Sequence, residues 1–152
     1  MEQTPDTAPE ASSALEWPMP QEGVAVTHLL IVRDVARSRR FYTDVLGGHT
    51  LMEGPPTILR FYNTWLILNE GGGPTDDKPD VIAAAPSDSR TLTSALNLRV
   101  SDIYRFYEQW RAAGAEFLTP PKVHEFEIRC YIRDPDGYLI EVGQSTRTPG
   151  DR

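Results

Sequence analysis

Two stretches of the chain share one pattern, in which an apolar run is followed by a polar position and then by amphipathic spacing. The run Val24–Val32 predicts a buried strand, and Asp34 is placed to cap a helix that extends to Leu46. The pattern returns 68 positions later, where Ala95–Val100 predicts a strand and Asp102 caps a second helix. The spacing therefore indicates an internal duplication.

The residues after each predicted helix alternate in the manner of antiparallel hairpins. Thr57–Tyr62 and Trp65–Asn69 form the first hairpin, and Phe126–Gly143 forms the second. The turn of the second hairpin is Asp-Pro-Asp-Gly at 134–137, where proline fixes φ and glycine accepts a positive φ. Strands, a helix and more strands, taken twice, predict an α+β fold.

The composition changes along the chain and sets the expected domain limits. Residues 1–23 contain five acidic and no basic residues, whereas residues 24–152 contain 17 acidic and 15 basic residues. The formal net charge of −7 is therefore mostly a property of the N-terminal segment. We predict one domain over residues 23–144, made of module one (23–70), a connector (71–92) and module two (93–144). It is flanked by an acidic disordered tail (1–22) and a C-terminal tail (145–152).

Charge and composition also limit the class of partner. The sequence has no basic stripe of the kind that binds nucleic acid. No apolar run approaches the roughly 18 residues that a membrane span needs. Cys130 is the only cysteine, which excludes an internal disulfide framework and favours a cytoplasmic location. We therefore expect a small organic molecule as the partner.

Glu141 is the first candidate functional residue, because it interrupts an apolar strand where a carboxylate must face water, a cavity or a partner. Strand alternation identifies the residues that share its face. In the second module the apolar face holds residues such as Leu98 and Cys130 and is expected to lie under the helix. The opposite face is polar and holds Asn97, Arg99, Glu127, Arg129, Tyr131 and Glu141.

Two motifs carry a resemblance to a known family. THLLIVRDVARSRRFYTDVLGG resembles the opening of vicinal-oxygen-chelate proteins, the superfamily of glyoxalase I, bleomycin-resistance proteins and extradiol dioxygenases, and RDPDGYLIEVG resembles the family's closing hairpin. The resemblance covers about residues 24–144. It implies two tandem βαβββ modules whose curved sheets form a cup with the helices outside, and frequently a homodimer.

The resemblance also implies four metal-ligand positions in the metal-dependent members of the family. These positions fall on Thr27, Ile67, Ala95 and Glu141, and Glu141 alone matches the family's ligand type. His28 stands one position after Thr27 and shares parity with the apolar face, so it could ligate only if the first strand were bulged. We therefore predict no cofactor, while a divalent metal stays open as the alternative.

The candidate site combines proton-transfer groups with groups that hold a ligand. Glu141, Tyr131 and His124 are the catalytic candidates, because carboxylate, phenol and imidazole can all exchange protons. Tyr131 precedes Glu141 by ten residues, a spacing similar to that of extradiol dioxygenases. The ligand-binding candidates are Asn97, Arg99, Arg129, Glu127 and Trp65. Because two arginines favour a carboxylate or phosphate, we expect a small organic anion.

Several alternatives to an anion site remain. The arginines and glutamates of the polar face could simply neutralise one another. The protein could instead be a metal-dependent lyase, isomerase or dioxygenase with ligands drawn from His28, His124 and Glu141. It could also serve as an interaction module that binds its partner through the acidic tail.

Overall fold

The computed structural model describes residues 17–150 and arranges them as two sheets, one from each predicted module. Sheet one and its helix comprise β1 (His28–Val32), α1 (Val35–Arg40, continued by a π-helical turn Phe41–Val45), β2 (His49–Met52), β3 (Thr57–Phe61) and β4 (Thr64–Glu70). Sheet two and its helix comprise β5 (Leu96–Arg99), α2 (Ile103–Ala112), β6 (Glu116–Phe117), β7 (Lys122–Val123), β8 (Glu127–Arg133) and β9 (Leu139–Ser145). The α+β class and the tandem modules are confirmed.

The two sheets repeat one topology. Sheet one has the strand order β1-β4-β3-β2, and sheet two has the order β5-β9-β8-β6, with β7 also paired to β8. In each sheet the first strand lies at an edge and runs parallel to the last strand of its module. The repeated edge position of β1 and β5 is the structural form of the duplication.

The capping aspartates begin both helices as predicted. A side-chain oxygen of Asp34 accepts a hydrogen bond from the Arg37 amide at 2.9 Å, and Asp102 accepts one from the Arg105 amide at 3.1 Å. Each bond satisfies an amide that has no partner within the helix, which stabilises a helix by about 1 kcal/mol.

The first strand is shorter than predicted. It begins at His28 and pairs with Leu66 of β4, whereas Val24 and Val26 are 89% and 81% exposed. The apolar pattern of residues 24–27 therefore does not correspond to a buried strand. Strand β2 was missed, because its four residues HTLM carry little alternation and its pairing with β3 shifts register between Thr50 and Met52.

Period-two alternation divides each sheet into a buried face and a face without helices. The buried faces pack into one core with Tyr42 and Trp110 from the two helices. Their buried members are Leu30, Val32, Leu66, Leu68, Cys130, Ile132, Ile140 and Val142. Burying each such apolar side chain contributes roughly 1.5–3 kcal/mol. The opposite face of each sheet is called the helix-free face below.

The Asp-Pro-Asp-Gly turn of module two packs against the start of module one's helix. The Tyr42 hydroxyl donates to Asp134 at 2.7 Å, and Asp136 accepts from the Arg33 amide at 2.9 Å and from the Ser38 hydroxyl at 3.1 Å. Both aspartates are 4% exposed, and burial raises the pKa of Asp134. Burying a carboxylate without hydrogen-bond partners is costly in free energy, so these bonds stabilise the two aspartates in their buried position. The turn is therefore an inter-module contact as well as a reversal of the chain.

The connector between the modules packs on both of them. The Arg33 guanidinium donates to the Pro86 carbonyl at 2.6 Å, and the Arg133 guanidinium donates to the Ser89 carbonyl. Earlier in the connector, Gly72 and Ala83 exchange backbone hydrogen bonds at 2.9 and 3.0 Å. No helix among residues 17–150 is long and apolar enough to cross a membrane.

Candidate functional site

Glu141 lies at the centre of the helix-free face of sheet two. Strand register places Asn97 and Tyr131 directly opposite it on the two flanking strands. The Asn97 amide donates to Oε1 of Glu141 at 2.8 Å, and the Tyr131 hydroxyl donates to Oε2 at 2.7 Å. Both carboxylate oxygens are therefore held, so the orientation of the Glu141 side chain is fixed by its two neighbours.

Glu127 joins two arginines on the same face. Its Oε2 accepts from Arg99 at 3.0 Å, and its Oε1 accepts from Arg129 at 2.7 Å. Arg99 also lies 3.9 Å from Glu141, which links the two groups of side chains. The arginine side chains are 44% and 34% exposed and the glutamates 23% and 19%, so the network is open to solvent. The six residues Asn97, Arg99, Glu127, Arg129, Tyr131 and Glu141 are called the Glu141 cluster below.

Gly143 was not among the predicted site residues, yet it shapes the cluster. It stands between Arg99 and Arg129 in the register of the sheet. A Cβ atom added to Gly143 would lie 2.7 Å from the Arg99 Cζ, so the guanidinium occupies the space that a side chain would fill. Ser145 was also missed, and its hydroxyl accepts from Arg99 at 2.9 Å. The only sequence sign was a glycine inside a strand, which often marks close approach.

The hydrogen bonds set the charge states of the cluster. Hydrogen bonding from Arg99, together with Arg129, holds the pKa of Glu127 below its usual range, so Glu127 is ionised at neutral pH. The hydrogen bond to Glu141 is the main cause that raises the pKa of Tyr131, with burial as a further cause. Tyr131 is therefore a neutral donor near neutral pH, and Glu141 is its acceptor.

Trp65 lies apart from the Glu141 cluster, in sheet one. It is 4% exposed, and the Arg60 guanidinium stacks on its ring with Cζ 4.5 Å from the centroid. Its indole Nε1 is buried and has no hydrogen-bond partner among residues 17–150. Trp65 could therefore contact a ligand through its indole N–H, or through its ring if the Arg60 guanidinium moved away.

His124 lies in the exposed turn between β7 and β8. Its backbone amide donates to the Glu127 carbonyl at 2.8 Å, which places the turn beside the cluster. No contact between the His124 imidazole and the cluster is seen among the described residues. The backbone of His124 is therefore next to the cluster, but its side chain forms no hydrogen bond with Glu141.

His28 lies on the buried face of sheet one. It shares this face with Leu30 and Val32, and β1 pairs with β4 from His28 to Val32 without a register shift. The bulge that would have turned His28 to the opposite face is absent from this strand. The ligand set of His28, His124 and Glu141 is therefore not assembled.

The residues do not fit the metal site that the resemblance implies. Threonine, isoleucine and alanine occupy three of its four positions, at Thr27, Ile67 and Ala95. Glu141 is the one carboxylate at the four positions, and its two oxygens are oriented by Asn97 and Tyr131. Within residues 17–150, no group of three or more His, Cys, Asp or Glu side chains could hold a metal ion. Typical transition-metal sites supply three or four protein ligands, and the described residues do not provide such a set.

Comparisons with known proteins agree on one family. Residues 25–142 match the family described as Glyoxalase/Bleomycin resistance protein/Dioxygenase superfamily. The chain is similar to lactoylglutathione lyase GLX1 of Arabidopsis thaliana, with 26% identity over 92% of this chain and 50% of the lyase. It is also similar to metallothiol transferase FosB of Shouchella clausii, with 30% identity over 76% of this chain and 75% of the transferase. The chain thus spans half the length of the plant lyase.

Solved structures share the fold. A glyoxalase/bleomycin resistance protein/dioxygenase from Nocardioides superposes with a TM-score of 0.69 at 23% identity, covering 88% of this chain and 92% of that one. At this identity the likeness concerns the fold alone. The arrangement of two tandem modules is therefore shared, whereas the likeness does not extend to the side chains of the Glu141 cluster.

Proposed function

Because the chain belongs to the Glyoxalase/Bleomycin resistance protein/Dioxygenase superfamily, we propose that it binds a small organic anion on the helix-free face of sheet two. The proposed ligand carries a carboxylate or phosphate held by Arg99 and Arg129. Glu141, fixed by Asn97 and Tyr131, accepts a hydrogen bond from the rest of the ligand.

The observation that carries the proposal is the bridging of two guanidiniums by one carboxylate. The two oxygens of Glu127 lie 3.0 Å from Arg99 and 2.7 Å from Arg129. The two arginines are thus spaced so that both can donate to a single carboxylate group, at distances typical of charge-assisted hydrogen bonds.

Glu127 is not an obstacle to the ligand. Its ion pairs are partly exposed, and such pairs contribute only about 0–1 kcal/mol to stability. A guanidinium has five N–H donors, and the contacts among the described residues use one of Arg129 and two of Arg99. A ligand anion could therefore use the remaining donors or replace Glu127 at little cost.

A thermal-shift screen tests the proposal. Matched sets of organic carboxylates, phosphates and amines are added to the protein, and the best anion is then titrated by calorimetry. An anion at 100 times its Kd should stabilise the fold by roughly 2.7 kcal/mol, or about 5–10 °C for a chain of this size. Amines should give no shift.

The matched variants are Arg129→Met in the cluster and Arg111→Met on α2. Arg111 is exposed; it forms an ion pair with Glu108, three residues earlier, and its guanidinium lies over the Tyr107 ring. We expect R129M to weaken the anion at least tenfold and R111M to leave its Kd unchanged. Equal loss in both variants, or stronger stabilisation by amines, would show that the cluster is not an anion site.

A second candidate function is a lyase, isomerase or dioxygenase activity within the same superfamily. The observation in its favour is the 2.7 Å hydrogen bond from the Tyr131 hydroxyl to Glu141, a pair that could hold or move a proton beside a ligand. If the screen yields a ligand, incubation with it and analysis of the products by mass spectrometry separate the two functions. Turnover that is lost in E141Q while binding persists would favour the enzyme; an unchanged ligand would favour a binding protein.

Assembly and location stay predictions. We expect a homodimer, which light scattering on the purified chain can measure, and a cytoplasmic location. The acidic tail invoked for an interaction module lies mostly outside the described residues, since residues 1–16 are not described.

A further inference from the structure

A cavity of about 310 Å³ lies between the modules, separate from the Glu141 cluster. It is lined by His28 and Leu30 of β1, Tyr42 of the helical segment, and neighbouring residues of β5, β9 and the connector. No member of the Glu141 cluster lines it. Clefts at module interfaces are a common location for small-molecule sites, and this volume lies at the lower end of their usual range.

The lining of the cavity is free of charged side chains. Its walls combine apolar groups, such as Leu96 and Ile140, with the hydroxyls of Thr93 and Ser94 at the exposed rim. An ion that entered from the exposed rim would lose part of its hydration without a counter-charge among the lining residues, which is unfavourable. The chemistry of the cavity therefore fits an uncharged molecule.

His28 supplies an unused hydrogen-bonding group. Its imidazole is half-buried and has no partner among residues 17–150, whereas the Tyr42 and Tyr138 hydroxyls donate to Asp134 and to the Ile31 carbonyl. Burial lowers the pKa of His28, so the ring is neutral at pH 7 and offers one donor and one acceptor. Trp65 Nε1 is the one buried side-chain nitrogen or oxygen without a partner among residues 17–150, so the His28 nitrogens are open to the cavity or to solvent and can meet a ligand.

The duplication shows that packing alone does not require histidine at this position. With the 68-residue offset between the two capping aspartates, the counterpart of His28 in module two is Leu96. Similarly, the counterpart of Tyr42 is Trp110, which is 2% exposed. The second module thus has a leucine where the first has His28, and a larger aromatic side chain where the first has Tyr42.

The outer wall of the cavity is anchored. The connector residues Pro86 and Ser89 accept hydrogen bonds from Arg33 and Arg133, one arginine from each module. Gly137 has a φ of +92°, and a Cβ there would lie 2.9 Å from the Ser89 Cβ, so the turn packs closely on the connector. The connector and the turn that line the cavity are therefore both held in place by contacts with the two modules.

We propose that this cavity is a second ligand site, which takes a small uncharged molecule with an apolar body and one hydroxyl or carbonyl group hydrogen-bonded to His28. The site is independent of the proposed anion site and lies beyond it. The apolar body packs against Leu30, Leu96 and Ile140.

Amide NMR with four small probes tests this inference. Phenol and acetophenone are the uncharged probes, and benzoate and benzylamine are their charged counterparts of similar size. We expect phenol and acetophenone to shift the amide resonances of residues such as Ser94, Leu96 and Tyr138 in a saturable manner. The charged probes should not shift these resonances.

Two variants separate a hydrogen-bonding role from a merely structural one. His28→Leu introduces the leucine that module two has at the equivalent position, Leu96, and removes the imidazole. It should raise the Kd of phenol about three- to tenfold, because one hydrogen bond to the ligand is lost. Ser94→Trp, at the exposed rim, should block the cavity and abolish the shifts without disturbing the core. Phenol binding unchanged in both variants, or shifts confined to residues outside the cavity, would overturn the inference.

A double variant of the Glu141 cluster distinguishes this inference from the proposed function. Arg99→Met with Arg129→Met should remove anion binding and leave the phenol shifts intact. If it removes both, there is one site rather than two, and the inference of a second site is wrong. If it removes neither, the proposed anion site fails while the cavity stands.

Discussion

Replacing Gly143 by alanine would test how the cluster holds its arginine. The new Cβ would lie 2.7 Å from the Arg99 Cζ, closer than real side-chain contacts allow. The strand backbone is paired on both sides, to Arg99 and to Arg129, so the flexible guanidinium must move instead. It would leave Glu127 and Ser145, its partners at 3.0 and 2.9 Å.

The expected effects on stability and on binding differ in size. The Arg99 side chain is 44% exposed, so its lost ion pair costs about 0–1 kcal/mol, and a compatible glycine-to-alanine change returns about 0.4–1 kcal/mol. The free energy of unfolding should therefore change by less than about 1 kcal/mol. Loss of a charge-assisted hydrogen bond to a ligand costs about 1.5–3 kcal/mol, so the anion should bind about 10–150-fold more weakly.

Calorimetric titration and urea unfolding measure the two quantities on the same samples. Arg99→Met should weaken the anion similarly, and adding G143A to R99M should cause no further loss, because both act on one guanidinium. An anion Kd within twofold of the parent in G143A would refute the displacement. A loss of several kcal/mol in unfolding free energy would show that the backbone, rather than Arg99, yields to the added methyl group.

Three further predictions concern the fold and its titrating groups. Asp134→Ala should lower the unfolding free energy by about 1–3 kcal/mol, since it leaves the buried Tyr42 hydroxyl and the amides of Asp136 and Tyr138 without their acceptor. Asp76→Ala on the exposed connector is the control, and equal losses in the two variants would contradict the structural role of Asp134. The pKa of Glu127 is lowered in the fold, so its contribution to stability is present above its ordinary pKa and lost as the pH falls through its folded pKa. Glu127→Gln should therefore be less stable than the parent at pH 7 and equal to it in strong acid, and a constant difference in urea unfolding across that range would argue against the ion pairs. Burial raises the pKa of Cys130 to about 11, so a thiol reagent at pH 8 should modify it only when the chain unfolds; rapid labelling of the native protein would contradict its position in the core.

Strand alternation was sufficient to predict which side chains meet at Glu141. Because side chains on a strand point alternately to opposite faces, the apolar neighbours of Asn97, Tyr131 and Glu141 on their own strands placed all three on the face opposite the core before any register was known. The structure adds the register, which sets them directly opposite one another and within hydrogen-bond distance. The same parity argument placed His28 on the buried face.

The parts that could not be predicted depend on contacts between distant segments. Gly143 has no side chain to suggest a role, and its importance comes from where the Arg99 guanidinium rests. The cavity beside His28 requires both modules and the connector, so no local pattern could reveal it. The first strand was predicted too long because Val24 and Val26 alternate like a strand but lie before the point at which β4 offers a partner.

The most direct measurement is the NMR response of the arginine side chains to an added anion. The Nε–Hε resonances are assigned through single Arg→Lys variants and followed during a titration with benzoate or the best anion of the screen. Saturable shifts at Arg99 and Arg129, with one common Kd, are the predicted result. Shifts confined to other arginines, such as Arg33 or Arg39, would contradict the claim that the Glu141 cluster is the anion site.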